Sequence, residues 1–237
     1  MKLSVKLSLL VLAAYLATAV FGEIQYRIAR VRDVTPAYGV VRPDARFLPP
    51  LAASPADGQT YLLGTDNLGR SVALRLAQGT RIAFYVGILT SLIAIPLGVL
   101  LGLAGGYFGG KTDSAVNWLC ATVASMPGLL FILAIALVLG KGMAGLVVGI
   151  GLTTWVGTCR TIRAETLKHR DRAYVQAAKT LGYSPLRIMF RHILPNVAHV
   201  ILIQFAIRFP SAVSTEVFIS FLGIGVQGEP SWGIMIN

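Results

Sequence analysis

The sequence predicts an all-α membrane protein that crosses the bilayer several times, and three observations support this fold class. Hydrophobic residues make up 55% of the 237 residues, charged residues only 13%, and the mean hydropathy is +0.70. Such a chain has too few polar residues to cover a soluble domain. A net charge of +11 would favour nucleic acid as the partner of a soluble protein. Here, however, the basic residues flank long apolar runs, as the positive-inside rule describes.

The first 22 residues are predicted to form an N-terminal transmembrane helix. Their uncharged run, 7–22, is close to the lower limit of about 17 residues for a spanning helix, so a signal peptide ending near residues 17–19 stays an open alternative. Residues 23–81 follow as the only long hydrophilic region, with eight basic residues, five acidic residues and five prolines. We expect them to form an extended connector outside the bilayer and not a packed domain.

Residues 82–237 are predicted to form the core domain, with four further transmembrane helices. Charged residues are absent between Ile82 and Lys111, and the next uncharged runs are separated by a tight turn at Lys141-Gly142. This turn should make the helices on either side of it antiparallel. The predicted spans are about 82–104, 114–140, 143–160 and 197–222.

The loop of residues 161–195 is predicted to be cytoplasmic. Eight Lys or Arg and only two acidic residues occur within 160–192, which is the pattern that the positive-inside rule assigns to the cytoplasmic face. The N-terminus would lie on the same side if the first helix spans the membrane. The hydrophilic connector, 23–81, would then lie outside.

Within this loop the sequence predicts a hairpin of two short helices. Four residues at helical spacing would share one narrow apolar face; they are Tyr174, Ala177, Ala178 and Leu181. Gly182 is placed to end the first helix, and Ser184 followed by Pro185 is a typical start of another. Pro195 is expected to close the second helix, because proline disfavours a helical conformation in the residue before it.

Two charged residues, Arg208 and Glu216, interrupt the last predicted span. A charge at the centre of a spanning helix costs about 2.5 to 3.5 kcal/mol, so such side chains usually face a protein interior or a water-filled path. One reading is that Arg208 or Glu216 lines a translocation pathway. The alternative is that one of them reaches the interface or packs against a neighbouring helix. A direct pair is not expected, because eight residues separate the two along the helix.

The sequence does not predict a catalytic, nucleotide or metal site. Residues 105–112 match the spacing of a phosphate-binding loop, but membrane-length apolar runs flank them, where the mechanism requires a strand and a helix. Motifs such as HExxH and GxSxG are absent. Cys120 and Cys159 lie in apolar stretches without metal-ligand spacing, so we expect them to be packing residues. We predict no cofactor.

Three stretches resemble permease subunits of bacterial ABC importers in the dipeptide, oligopeptide and nickel branch. The hairpin resembles the cytoplasmic EAA loop of that family, with Gln176-Ala177-Ala178, then Gly182, then Leu194-Pro195. The sequence LGTDNLGR at 63–70 looks like the segment before the second span of these proteins, and FLGIGVQ with PSWG within 221–233 looks like the loop after their fifth span.

This resemblance implies a type I ABC importer transmembrane fold with about six spans, of which five are visible and a sixth would be missing at the C-terminus. It implies four kinds of partner: a second permease subunit in a heterodimer, two cytoplasmic ATPase subunits, a periplasmic or lipid-anchored substrate-binding protein, and membrane lipid. Nucleic acid is not among them. The chain would lie in the bacterial inner membrane. It would not be an enzyme, because the ATPase subunits would hydrolyse ATP.

The implied function is ATP-driven import of di- or oligopeptides, coupled to the ATPases through residues 174–195. The coupling residues would be Tyr174, Gln176, Ala177, Ala178, Leu181, Gly182, Leu194 and Pro195. Gln176 stands where the family usually has glutamate, so an ion pair would become a neutral hydrogen bond. Three alternatives stay open: nickel or glutathione-like cargo, an ion-coupled transporter that uses Arg208 and Glu216, and a membrane scaffold.

Overall fold

The computed structural model describes residues 3–54 and 58–236, and helices account for most of these residues. Residues 1, 2, 55–57 and 237, which belong to the predicted N-terminal helix, connector and core domain, lie outside the described residues. In chain order the helices are α1 (Leu3–Val31), α2 (Val72–Phe108), α3 (Gly110–Ser125), α4 (Gly128–Leu139), α5 (Met143–Arg170), α6 (Ala173–Thr180), α7 (Pro185–Ile188), α8 (Leu194–Phe221) and α9 (Trp232–Ile236). Two short strands, β1 (Ala52–Ala53) and β2 (Thr60–Tyr61), pair antiparallel.

Four helices in the described part of the chain are long and apolar enough to cross a membrane. They are α1, α2, α5 and the continuous helix Pro185–Phe221 that contains α7 and α8. Helices α3 and α4 pass the same test together, with a bend of 88° between them. The break falls at Pro127, which caps the start of α4 instead of continuing the predicted 114–140 helix. The prediction of an all-α membrane protein with about five spans is confirmed.

The chain divides into two compact units. Unit 1 comprises Met1–Tyr85 and Val217–Asn237, and unit 2 comprises Val86–Glu216. The boundaries fall inside α2 and α8. Unit 1 therefore holds two of the stretches that carry the family resemblance, and unit 2 holds the hairpin.

The prediction of an extended connector over 23–81 is wrong, because both ends are helical and the middle is packed. Helix α1 continues to Val31, and α2 already begins at Val72. Between them the chain forms a 3₁₀ turn at Pro43–Ala45 and the β1–β2 pair, and it buries Tyr38 and Tyr61. The sequence shows that this region is polar. It does not show that the polar side chains form hydrogen bonds to the backbone of the turns and so give the region its structure. Its position outside the bilayer stays a prediction.

Close contact between α2 and α5 in unit 2 depends on a stripe of glycines four residues apart on α2. A Cβ atom at any of them would lie less than 3 Å from a backbone oxygen of α5; the pairs are Gly98 with Trp155 at 2.8 Å, Gly102 with Cys159 at 2.7 Å and Gly106 with Arg163 at 2.8 Å. Small residues with this spacing let membrane helices approach closely, because packing replaces the hydrophobic effect as the driving force in lipid.

Both cysteines are buried in unit 2 as free thiols. Cys120 of α3 and Cys159 of α5 belong to one apolar cluster with Ala94, Val116 and Trp155. Their predicted role as packing residues is confirmed. The phosphate-loop spacing nearby falls on a junction between two helices, since α2 ends at Phe108 and α3 begins at Gly110.

Candidate functional site

The predicted turn of the hairpin is present as the sequence indicates. Helix α6 ends before Gly182, whose φ of 75° is the left-handed conformation expected of a glycine after a helix. The Ser184 hydroxyl accepts a hydrogen bond from the backbone N–H of Arg187 at 3.4 Å, and Pro185 occupies the first position of α7. Local chemistry therefore fixes the path of the chain between the two arms.

The prediction that Pro195 closes the second helix is wrong. Helix α7 continues through a π-helical segment, Met189–Ile193, directly into α8, and Leu194 and Pro195 are the first residues of α8. In this segment the Leu194 N–H donates to the carbonyl oxygen of Met189, five residues earlier. Proline lacks an N–H and its ring crowds the preceding turn, and the wider π turn gives it room. The hairpin's second arm is thus continuous with a candidate membrane span.

One side of the hairpin is part of the core of unit 2. Val175 and Ala178 of α6 are 0% and 3% exposed. They join a cluster that includes residues from α2, α5 and the second arm: Val99, Leu103, Ile162, Ile188, Met189, Ile193 and Val197. Burial of these side chains, at about 25 cal/mol per Å² of apolar surface, holds α6 against the candidate spans. A force applied to the hairpin would therefore reach α2 and α5 through packed side chains.

The other side of the hairpin exposes apolar residues. Of the predicted face, Tyr174 is half-buried and Ala178 is buried, whereas Ala177 is exposed and Leu181 is 71% exposed. The second arm adds two large exposed side chains, Leu186 and Phe190. We call Ala177, Leu181, Leu186 and Phe190 the exposed apolar residues of the hairpin. The predicted coupling residues thus include members of the core and members of the surface.

Contacts that were not predicted from the sequence attach the hairpin to α5 and its turn to the second arm. The Gln176 Nε2 donates to the carbonyl oxygen of Arg170 at 3.3 Å, at the end of α5, where a glutamate has no hydrogen to donate. The Tyr174 hydroxyl hydrogen-bonds to Nδ1 of His169 at 2.7 Å, and burial raises the pKa of Tyr174. The Tyr183 and His192 rings stack with centroids 5.6 Å apart. Of these residues, only Gln176 stands out in the sequence, because its amide replaces the usual glutamate.

Arg208 lies against α5 within unit 2. Its Nε donates to the Thr158 hydroxyl at 2.5 Å, and a terminal nitrogen contacts the Thr154 carbonyl oxygen. It borders a cavity of about 20 Å³, which is room for one water molecule. Glu216, the other charged residue of α8, is buried. The structure thus shows Arg208 packed on a neighbouring helix, and a role of either residue in lining a pathway stays a prediction.

The LGTDNLGR stretch of unit 1 folds around Asp66. This carboxylate accepts hydrogen bonds from the backbone N–H groups of Leu68 and Arg70, both at 2.9 Å, and from the Arg70 Nε at 2.8 Å. Burial alone would raise the pKa of Asp66, but these hydrogen bonds and the charge of Arg70 together lower it. Arg75 contacts the same carboxylate.

The lowered pKa of Asp66 predicts acid sensitivity of unit 1. The carboxylate contributes stability that is complete above its ordinary pKa, about 4, and is lost as the pH falls through the lower folded value. We expect the thermal midpoint of the purified protein to fall with pH in this range. Asp66→Asn should lower the free energy of unfolding at pH 7 by about 1 to 3 kcal/mol, and the thermal midpoint with it. It should also flatten the dependence of the midpoint on pH. Asp44→Asn, at an exposed carboxylate of the same unit, is the control; an unchanged pH profile in Asp66→Asn would contradict the assignment.

The segment after α8 packs on the first turns of α2. The Trp232 Nε1 donates to the Leu76 carbonyl oxygen at 3.3 Å, and Glu229 pairs with Arg81 at 2.5 Å. Arg81 also pairs with Glu23 of α1 at 2.6 Å. The two resemblance stretches of unit 1 are therefore both attached to the start of α2.

Comparison with known proteins gives a consistent match. Residues 94–237 match the family described as "Binding-protein-dependent transport system inner membrane component". The chain is 36% identical over 178 residues to the dipeptide transport system permease protein DppC of Bacillus subtilis, which covers 75% of this chain and 56% of that protein. It is 33% identical over 188 residues to the oligopeptide transport system permease protein OppC of the same organism, with 79% and 62% covered. It is 35% identical over 178 residues to the glutathione transport system permease protein GsiD of Pectobacterium atrosepticum, with 75% and 59% covered. The chain spans a little over half the length of these curated relatives.

Proposed function

This chain belongs to the family of inner membrane components of binding-protein-dependent transport systems, and we propose that it is the permease subunit of an ATP-driven importer of di- or oligopeptides. Its multi-span helical structure is the type I ABC importer transmembrane fold that the resemblance implies. The relatives named as dipeptide and oligopeptide permeases support the peptide cargo. A glutathione-like cargo is the second candidate, supported by the relative named as a glutathione permease. An ion-coupled transporter, a nickel importer and a scaffold have no support from these three relatives.

The observation that carries the proposal is the division of the hairpin into a buried side and an exposed apolar side. Val175 and Ala178 fix α6 to the core of unit 2, whereas Leu181 and its exposed apolar neighbours are available to another protein. Such a hairpin transmits a push, because its second arm continues into α8. The partner that fits is a cytoplasmic ATPase subunit with an apolar groove.

The remaining parts of the proposal are what membership of the family implies. Two ATPase subunits would bind and hydrolyse ATP, a second permease subunit would complete the path, and a substrate-binding protein would deliver cargo from the periplasmic side. The hairpin and the N-terminus would face the cytoplasm, supported by the excess of basic residues within 160–192. Arg208 and Glu216 are the candidates for residues that line the pathway.

In coupling, the individual residues would have different roles. Ala177 and Leu181 would contact the ATPase, and Tyr174 and Ala178 would hold α6 in place. Gln176 would hold the hairpin to the end of α5 through its amide and would not supply a charge. Gly182, Leu194 and Pro195 would set the shape of the turn and of the second arm.

Gly182→Val tests this proposal in the assembled transporter. Valine at φ 75° is strained by about 1 to 2 kcal/mol, so the turn should populate other conformations in which the hairpin does not fit the ATPase. ATP-dependent uptake of a labelled dipeptide into proteoliposomes should therefore fall by about tenfold. Gly58→Val is the matched control, since Gly58 has a φ of 65° with open space around it. Wild-type chain should copurify with the ATPase subunits. Uptake that persists without those subunits would contradict the proposed function.

A further inference from the structure

Unit 1 contains a cavity that the coupling function does not use. Its volume is about 240 Å³, and it lies between the turn around Asp66 and the segment that follows α8. The residues that give it polar chemistry are Tyr38, Arg70, Arg75 and Glu229. Pockets for drug-sized ligands have volumes of about 300 to 1,000 Å³, so this cavity suits a smaller molecule.

The wall formed by Arg70 and Arg75 carries an excess of positive charge. Both guanidinium groups contact the same oxygen, Oδ2, of Asp66, so two cations share one carboxylate. Arg75 is only 5% exposed; its terminal nitrogen Nη1 contacts Asp66, and its Nε is buried without a hydrogen-bond partner among the described residues, so a ligand in the cavity would act on the charge of the group and not on this N–H. Asp66 balances only one of the two guanidinium charges, so one positive charge at this wall is left for a further anion. A carboxylate in the cavity would supply the missing counter-charge, and guanidinium groups are well suited to bind one.

Glu229 gives the same cavity a negative group. Its Oε2 accepts a hydrogen bond from Arg81, a guanidinium that it shares with Glu23. Its other oxygen, Oε1, makes no hydrogen bond to the residues that the structure describes, and the side chain is 24% exposed. This oxygen is therefore available to an ammonium group.

Tyr38 adds a neutral hydroxyl group to the lining. Burial, together with the nearby charge of Glu229, raises the pKa of Tyr38 to about 12, so the phenol stays protonated at neutral pH. A protonated phenol donates a hydrogen bond to a carboxylate. The cavity thus combines two cationic groups, one hydroxyl donor and one anionic acceptor in a small volume.

We propose that this cavity binds a small zwitterion, an amino acid or short peptide, with its carboxylate at Arg70 and Arg75 and its ammonium group at Glu229. Both charged ends of the ligand then meet groups of opposite sign, and the Arg75 cation gains a second counter-charge. The choice of a peptide as ligand rests on the proposed function. The placement of a carboxylate at Arg70 and Arg75 rests on the lining of the cavity and not on the proposed function.

Binding of L-alanyl-L-alanine to the purified full chain in lipid nanodiscs, without ATPase subunits, tests the proposal by isothermal titration calorimetry. We expect binding of the dipeptide, and weaker binding by about tenfold of its C-terminal amide and its N-acetyl derivative, because each loses one charge-assisted contact. Arg70→Gln should weaken dipeptide binding by a similar factor. Arg46→Gln, at an exposed arginine of unit 1 outside the cavity, should leave it unchanged.

Arg70 is the residue to replace because its side chain is 25% exposed and that of Arg75 only 7%. Both contact Asp66, so the thermal midpoint of Arg70→Gln is measured beside its dipeptide binding. Absence of dipeptide binding, or equal binding of the dipeptide and its amide, would overturn the proposal. Neither result would affect ATPase copurification or ATP-dependent uptake. Conversely, a chain that does not associate with ATPase subunits would contradict the proposed function and leave this binding measurement valid.

Discussion

Gly102→Leu is expected to destabilise unit 2 by about 3 kcal/mol, at the upper end of what overpacking usually costs. A Cβ at this position would lie 2.7 Å from the Cys159 carbonyl oxygen and 3.0 Å from the Arg163 backbone nitrogen. These are backbone atoms of α5, so no side-chain rotation relieves the clash, and the two helices must separate. The apparent thermal midpoint of the purified protein should fall by about 6 to 12 °C, measured by loss of the monodisperse peak after heating.

Gly128→Leu is the matched control for this experiment. Gly128 is exposed at the start of α4, and a Cβ there would have no heavy atom within 4 Å. The same change of glycine to leucine should therefore shift stability by less than about 0.5 kcal/mol. If both variants lose stability equally, the loss stems from the added leucine and not from the close approach of α2 and α5.

The parts of the fold that follow from local chemistry were predictable from the sequence. Uncharged runs identify the candidate spans because a charge in lipid is costly whatever the rest of the fold is. The turn of the hairpin was predictable for a similar reason, since Gly182, Ser184 and Pro185 act on their own backbone.

Helix lengths were not predictable in the same way. Charged residues mark where the surroundings become polar, but they do not end a helix if distant partners neutralise them. Glu23 and Arg81 both lie inside helices and pair with each other, and Arg81 pairs with Glu229 as well. These partners are far apart along the chain, so one sequence gives no sign that they meet. The π turn before Pro195 was likewise not predicted, because the sequence shows the proline but not that the turn before it widens and lets the helix continue.

The candidate site shows the same division. Helical spacing identified an apolar face of α6, but a helix of two turns offers several such faces, and the core selects Val175 and Ala178. The β-branched Val175, three residues before Ala178, is the signal in the sequence that could have identified the buried side. Exposure of Leu181 depends on what the rest of the chain covers, which local spacing does not contain.

Leu181→Asp is expected to abolish productive coupling without unfolding the protein. Leu181 is 71% exposed in this chain, so an aspartate carboxylate there stays hydrated. The thermal midpoint should therefore stay within the error of wild type. In the proposed complex the same side chain would enter an apolar groove, where an unpaired carboxylate costs several kcal/mol. ATPase subunits should then no longer coelute with the permease, and ATP-dependent dipeptide uptake should fall by more than about tenfold.

Leu62→Asp separates this effect from a general effect of charge. Leu62 is 68% exposed in unit 1, outside the hairpin, and the substitution is chemically identical. Coelution and uptake should match wild type in this variant. Normal coelution of Leu181→Asp would show that the ATPase does not cover Leu181, and the hairpin would then have to dock through other surface residues. Loss of coelution with an unchanged thermal midpoint is the result that only a binding surface at Leu181 explains, because a folding defect would lower both.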